Sequence, residues 1–322
     1  MTRKAPRPRR RMRLAGAVTA LTVALALCGC GLEPTGSTTT GSDGLLVTQG
    51  FGGQTVLNLS APRTTGAHTV LGLLERNASI TTSDGERDVA SINGLSAVTV
   101  AGQPADWFFY VNGVEGRKHA SVTKLHSGDQ VWFDRHDGLA AENVKAVVGS
   151  FPEPFLNGYG GTRYPTRIEC IHTPNATCTD VENELASFQI AAGVGCFECS
   201  EYNESLRVLV GPYASLTEDQ AADELGDAPS TSGVYARFID GGRKLELLNA
   251  SGAVVQTLGA GTGLVAATRW DGQPPVWLIT GTDAAGVSEA EQAFTQGTLD
   301  GHFAVAVVND IAQPLPLTGG RK

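Results

Sequence analysis

The segment Asp106-Trp-Phe-Phe-Tyr-Val-Asn112 constrains this chain more than any other. Its aromatic and β-branched residues favour a strand. The Asn112-Gly113 pair that ends it is the strongest short signal for a type I′ hairpin turn, since both residues tolerate positive φ. Side chains alternate across a strand, so Trp107, Phe109 and Val111 share one face while Phe108, Tyr110 and Asn112 share the other. Both faces are largely aromatic. The expectation is therefore a central strand covered on both sides.

Around it, Leu45–Thr48 and Thr55–Leu59 read as short strands flanking the turn Phe51-Gly52-Gly53. Thr69 is placed to cap a helix carrying Val70, Leu71, Leu73 and Leu74 at helical spacing. Leu95–Val100 is a weak strand, and Gly128-Asp129 introduces another at Gln130–Asp134. A hairpin, one helix and further strands is the order of a β-grasp fold.

Three motifs in that order, Thr69-Val-Leu-Gly-Leu-Leu74, Trp107-Phe-Phe-Tyr-Val-Asn-Gly113 and Leu125-His-Ser-Gly-Asp-Gln-Val-Trp132, resemble the transcobalamin-like C-terminal domain family. The resemblance covers residues 45–138. It implies a β-grasp domain, which in animal members covers bound cobalamin; many bacterial members have no known activity. Cobalamin enters through this resemblance alone, and no other cofactor is expected. Tyr110 and Trp132 are the ligand-binding candidates here, since an exposed aromatic can stack on a planar ligand or sugar; the competing and commoner reading of a strand aromatic is a core residue. His119, His126 and His136 have no helical i,i+4 spacing and read as loop histidines, not metal ligands.

The N-terminus gives an address. Residues 1–29 hold seven bases, all within 3–13, and no acid; the bases are followed by the apolar run Leu14–Leu27, which has the length of a signal-peptide core and is short for a membrane span. Lipoprotein signals place Leu three residues before the modified cysteine and a small residue directly before it. Cys30 meets both with Leu27 and Gly29, whereas Cys28 has the bulky Leu27 before it. The expectation is a lipoprotein signal peptide over 1–29, lipidation of Cys30 and a flexible Gly/Thr-rich tether over 30–44. An ordinary secretory signal is the alternative. This places the chain on the outer face of the cell membrane, with the membrane as a partner through the lipid. Leu315-Pro-Leu-Thr-Gly319 matches a sortase pattern but only three residues follow it, so the match is read as coincidence, with 318–322 as a tail.

Beyond residue 29 there are 17 bases against 33 acids, which excludes a non-specific nucleic-acid binder. The acids concentrate after residue 138, with 22 against 10 bases. That charge favours a neutral or cationic partner, although solubility alone accounts for it. Four cysteines remain there, Cys170, Cys178, Cys196 and Cys199. An even number in an exported chain favours disulfides over a zinc site, a redox-active Cys-x-x-Cys or free thiols; four cysteines allow three pairings, with the local one, Cys170 with Cys178 and Cys196 with Cys199, slightly favoured.

Strands and helices alternate over 139–317, predicting an α/β domain with a mixed sheet. Helices are expected from Thr179, from Ser215 to about Leu225, and from Ala284 to about Gln296. Arg207-Val-Leu-Val-Gly-Pro-Tyr213 and the helix after it resemble one strand–helix unit of the sporulation-related, peptidoglycan-binding repeat. Gly259-Ala-Gly-Thr-Gly263 leads into a strand and so offers no helix terminus to a phosphate. Asp283, at the end of an apolar strand, is a ligand-binding candidate or, more simply, a helix N-cap.

The sequence thus predicts an α+β chain, with an N-terminal β-grasp domain followed by a C-terminal α/β domain. Its expected role is a lipid-anchored, extracytoplasmic protein that binds a small molecule, a glycan or a partner without catalysis. An envelope- or peptidoglycan-associated structural protein and an unrecognised hydrolase are the alternatives.

Overall fold

The structure, a computed structural model, describes residues 42–83, 85, 88–96, 105–172, 175–197, 199, 204–270 and 272–319. All of these fall within one compact unit, Thr40–Lys322. Cys30 and the expected signal peptide lie outside the described residues.

In the first lobe the hairpin forms between β1 (Gly44–Gln49) and β2 (Gln54–Leu59). Helix α1 (Val70–Asn77) follows, capped by Thr69 Oγ1, which accepts from Gly72 N at 3.1 Å. Its Val70, Leu71, Leu73 and Leu74 are buried, as the spacing requires. A small antiparallel sheet of β3 (Ile80–Ser83), β4 (Asp88–Ile92) and β5 (Leu95–Ser96) comes next. The expected strand at 95–100 is described only through Ser96, and residues 97–104 lie outside the described set. Then come β6 (Asp106–Val111), β7 (Val114–Glu115) and β8 (Gln130–His136).

The five-stranded sheet runs β2-β1-β8-β6-β7, with β1 and β8 parallel and the other pairs antiparallel. A central parallel pair flanked by two hairpins, with one helix on the sheet, is the β-grasp arrangement. Asn112 and Gly113 both take positive φ, 54° and 75°, as a type I′ turn demands. Glycine is needed at 113 for a second reason: a Cβ there would lie 2.8 Å from the Val147 carbonyl oxygen.

The second lobe contains β9 (Thr166–Cys170), α2 (Ala176–Ser187), β10 (Ala192–Cys196) and β11 (Leu206–Pro212). Short helices α3 (Tyr213–Leu216), α4 (Gln220–Asp223) and α5 (Pro229–Ser232) lead to the antiparallel sheet β12 (Ala236–Ile239), β13 (Lys244–Leu248) and β14 (Val254–Leu258). The chain ends with β15 (Gly263–Thr268), β16 (Val276–Gly281), α6 (Ala284–Gln292), α7 (Gln296–Leu299), β17 (Ala304–Val308) and β18 (Ile311–Leu315). Seven strands form one mixed sheet, β10-β9-β11-β16-β15-β17-β18; its first four strands are parallel and its last three join antiparallel.

Three helix boundaries differ from expectation. α2 starts one turn early because the Asn175 side chain accepts from Thr177 N at 2.9 Å, leaving Thr179 inside the helix. α4 is capped by Asp219 and not Ser215; Asp219 Oδ1 accepts from Ala221 N at 2.9 Å. The helix from Ala284 breaks after Gln292, where Phe294 turns into the core and Thr295 caps α7. Strand β10 was not foreseen, since its Ala-Gly-Val-Gly sequence lacks strand propensity; pairing with β9 decides it.

Alternation assigns each sheet face to a core. Leu45, Val47, Val131 and Phe133 pack against α1 with Val70, Leu73 and Leu74. The opposite face carries Tyr110 and Trp132 into a second core, with Phe51, Leu209, Leu264, Leu278 and Phe303. The far face of the seven-stranded sheet packs Val208, Val265, Trp277 and Val305 against α2, α6 and α7. The two lobes therefore meet through a shared apolar core.

Candidate functional site

Phe303 is the centre of the seam. Its ring lies 5.6 Å from Tyr110, 5.1 Å from Trp132, 5.2 Å from Phe51 and 5.3 Å from His136, each at a steep interplanar angle. Edge-to-face pairs of this kind add to the burial of large apolar surface. Tyr110 is 0% exposed and Trp132 2%. The core reading therefore holds and the ligand-stacking one is corrected: the face that would present them is occupied by the second lobe.

A polar network is sealed beneath these rings. The buried Asp134 carboxylate accepts from Phe51 N and Gly52 N, each at 2.9 Å, and from the Thr48 hydroxyl. His136 Nδ1 lies 2.8 Å from Asp134 Oδ1. An ionised carboxylate only accepts, so Nδ1 carries the proton. Trp132 Nε1 in turn donates to Thr48 Oγ1 at 2.7 Å. Burial alone would push the Asp134 pKa up; the hydrogen bonds and charge of His136, with Thr48 and Gly52, outweigh it and hold the group below the ordinary aspartate value.

The turn residue Asn112 joins the lobes at a second point. Its Nδ2 donates to Asp129 Oδ1 at 2.9 Å and to the Gly158 carbonyl at 2.6 Å, while its Oδ1 accepts from Gln130 N at 2.7 Å. Val147 N donates to the Gly113 carbonyl at 2.9 Å and Val148 N to that of Phe303 at 3.2 Å, so the strap after residue 143 is laced to both lobes.

Between these anchors a cleft of about 380 Å³ opens on the seam. Leu45, Leu46, Asn58, Leu59 and Gln130 of the five-stranded sheet form one wall. Ser150, Pro152, Glu153, Leu156 and Phe188 form the other, and Gln296 and Asp300 close one end. None of the described residues lining it is cationic. Glu153 is 2% exposed; Asn157 N donates to its Oε2 at 2.9 Å and Asn157 Nδ2 to its Oε1 at 2.5 Å. Desolvation outweighs those bonds and pushes the carboxyl up to about 7. With both oxygens engaged, Glu153 shapes the wall and is poorly placed to act on a bound molecule. Nothing in the sequence pointed to this cleft, because its walls come from segments about 100 residues apart.

Residues 67–137 match the model of a domain of unknown function, DUF4430. The match falls within the first lobe. No curated protein matches the chain. Seen with the geometry, the DUF4430 segment contributes α1, the β6–β7 hairpin and β8, so its motif residues are mainly those that build the sheet and fasten it to the second lobe. The Asn-Gly turn serves both purposes.

The remaining sequence candidates sit elsewhere. Asp283 caps α6: Oδ1 accepts from Gly286 N at 2.9 Å and Oδ2 from Gly261 N at 3.0 Å, so both oxygens are committed to backbone. Cys170 pairs with Cys178 and Cys196 with Cys199, the local pairing favoured from sequence. The first pair is buried; the second is exposed at the sheet edge. His119, His126 and His136 each face their own aspartate, Asp88, Asp129 and Asp134. Among the described residues no cluster of three or more His, Cys, Asp or Glu could hold a metal ion.

Proposed function

We propose that this chain is a lipid-anchored, extracytoplasmic binding protein that holds a small neutral ligand in the seam cleft and performs no reaction on it. The observation that carries the reading is the lining of that cleft. Apolar surface from Leu46, Leu59, Leu156 and Phe188 alternates with the amides and hydroxyls of Asn58, Ser60, Ser150 and Gln296. Small-molecule sites combine those features and favour the boundary between two structural units. Among the described residues the walls carry no cation and two acids, Asp300 and Glu153, so an anion is disfavoured. A hydroxyl-bearing molecule with one apolar face, such as a neutral saccharide, suits the walls best. A corrinoid, suggested by the family resemblance, is bulkier than the cleft and would project from it.

The test is thermal unfolding of the full chain against N,N′-diacetylchitobiose, cobalamin and a muropeptide. A ligand at about 100 times its Kd adds about 2.7 kcal/mol of stability. The disaccharide should raise Tm in wild type and leave Asn58→Trp unchanged, since Asn58 is exposed and an indole there fills the cleft. A shift with the muropeptide alone would favour the envelope-structural role. Turnover of any of the three would replace the binding reading by an enzymatic one.

The anchor has a separate test. Cys30→Ser should leave the precursor unprocessed and without lipid by mass spectrometry, while Cys28→Ser should be processed normally. The reverse pattern would move the anchor to Cys28.

A further inference from the structure

We infer that a notch beside the start of β11 and β16 is a second binding site, one that takes an organic ammonium group such as the end of a lysine side chain. The notch, about 360 Å³, is remote from the seam cleft in its lining residues and is bounded by Ser205, Arg207, Glu218, Asp219 and Trp270.

Its charge decides the ligand. Arg207 is buried, and its guanidinium is held by Glu169, through Nε at 3.1 Å and Nη2 at 3.0 Å, and by Asp219. Arg167 also lies 3.8 Å from Glu169, so two arginines face Glu169 and Asp219, and the exposed Glu218 is the further negative charge on the notch. The arginine fork is filled by carboxylate and has no capacity left for an incoming anion. What remains at the mouth of the notch is the Glu218 carboxylate, which attracts a cation.

Two observations independent of the acidic groups point the same way. Trp270 is 37% exposed, while Trp132 and Trp277 are buried and Trp107 is half-buried. It lines the notch, and the backbone beside it is fastened by Gln273 N donating to the Trp270 carbonyl at 3.1 Å and Arg269 Nε to the Gln273 carbonyl at 2.8 Å. An indole ring is the best side-chain face for a cation. Ser205, which lines the notch, is 6% exposed, and its buried hydroxyl has no hydrogen-bond partner. Buried polar groups are rarely left so.

The experiment titrates the full chain at low ionic strength with N-acetyl-lysine methylamide, using N-acetyl-norleucine methylamide as the uncharged control. Binding is read by intrinsic tryptophan fluorescence, with Trp270→Leu assigning the signal among the four tryptophans, and, in parallel, by calorimetry. The lysine compound should give a saturable signal that weakens with added salt, and the norleucine compound none. Glu218→Gln should weaken binding about threefold and Trp270→Leu about fivefold by calorimetry. Both side chains are exposed, so neither variant endangers the fold. Equal binding of the two compounds, no heat with either, or an unchanged affinity in Glu218→Gln would overturn the proposal.

Discussion

Asp134→Ala should cost the full chain about 3–5 kcal/mol. That is a large share of the roughly 5–15 kcal/mol that a folded domain commands, and it should appear as a Tm lower by about 10 °C. The carboxylate is fully buried and accepts from two backbone amides, a hydroxyl and an imidazole. Alanine leaves all four donors without an acceptor in a place water does not reach, and an orphaned donor costs its whole desolvation penalty. The effect has a pH signature. Since the folded pKa lies below the ordinary aspartate value, the carboxylate's contribution is complete above that ordinary value and disappears as pH falls through the folded one. The gap between wild type and variant should therefore narrow in acid. Asp283→Ala is the control: it removes a helix cap at a half-buried position and should cost about 1 kcal/mol. Equal losses in the two variants would refute the role given to the seam network.

Arg207→Met should destabilise the second lobe by a similar amount, about 3–5 kcal/mol in urea denaturation. Methionine fills the space of the arginine stem but leaves Glu169 and Asp219 buried without their cation. Arg167 lies 3.8 Å from Glu169 and is partly exposed, so it compensates little. The cost should come chiefly from those stranded charges. Accordingly, the double variant Arg207→Met, Glu169→Met should recover part of the loss, a coupling that a double-mutant cycle measures directly. Arg207→Lys should fall between, because an ammonium keeps the charge and loses the planar fork. If the double variant were less stable than Arg207→Met alone, the charge argument would be wrong and packing of the arginine stem would be the cause.

The sequence was most legible where local chemistry and tertiary packing agree. Alternation along 106–112 assigned Trp107 and Phe109 to one face and Phe108 and Tyr110 to the other, and both faces are covered in the structure. The Thr69 cap and the Asn112-Gly113 turn follow from side-chain and backbone preferences that act within four residues. Legibility failed where a distant partner decides. Sequence alone leaves Tyr110 and Trp132 between a core and a ligand-stacking role; Phe303, some 170 residues beyond Trp132, occupies their face and decides for the core. Strand β10 exists because β9 offers an edge to a glycine-rich segment with little preference of its own. The cleft was invisible for the same reason, since no local pattern announces that Asn58 faces Ser150.

The central claim is that the ligand sits in the seam. Hydrogen–deuterium exchange of the full chain, with and without saturating N,N′-diacetylchitobiose, locates it without depending on any variant. Added protection should fall on residues 57–60, 130–132, 149–156 and 296–300, the segments that wall the cleft. Protection confined to other segments, or none at a concentration that raises Tm, would contradict the account.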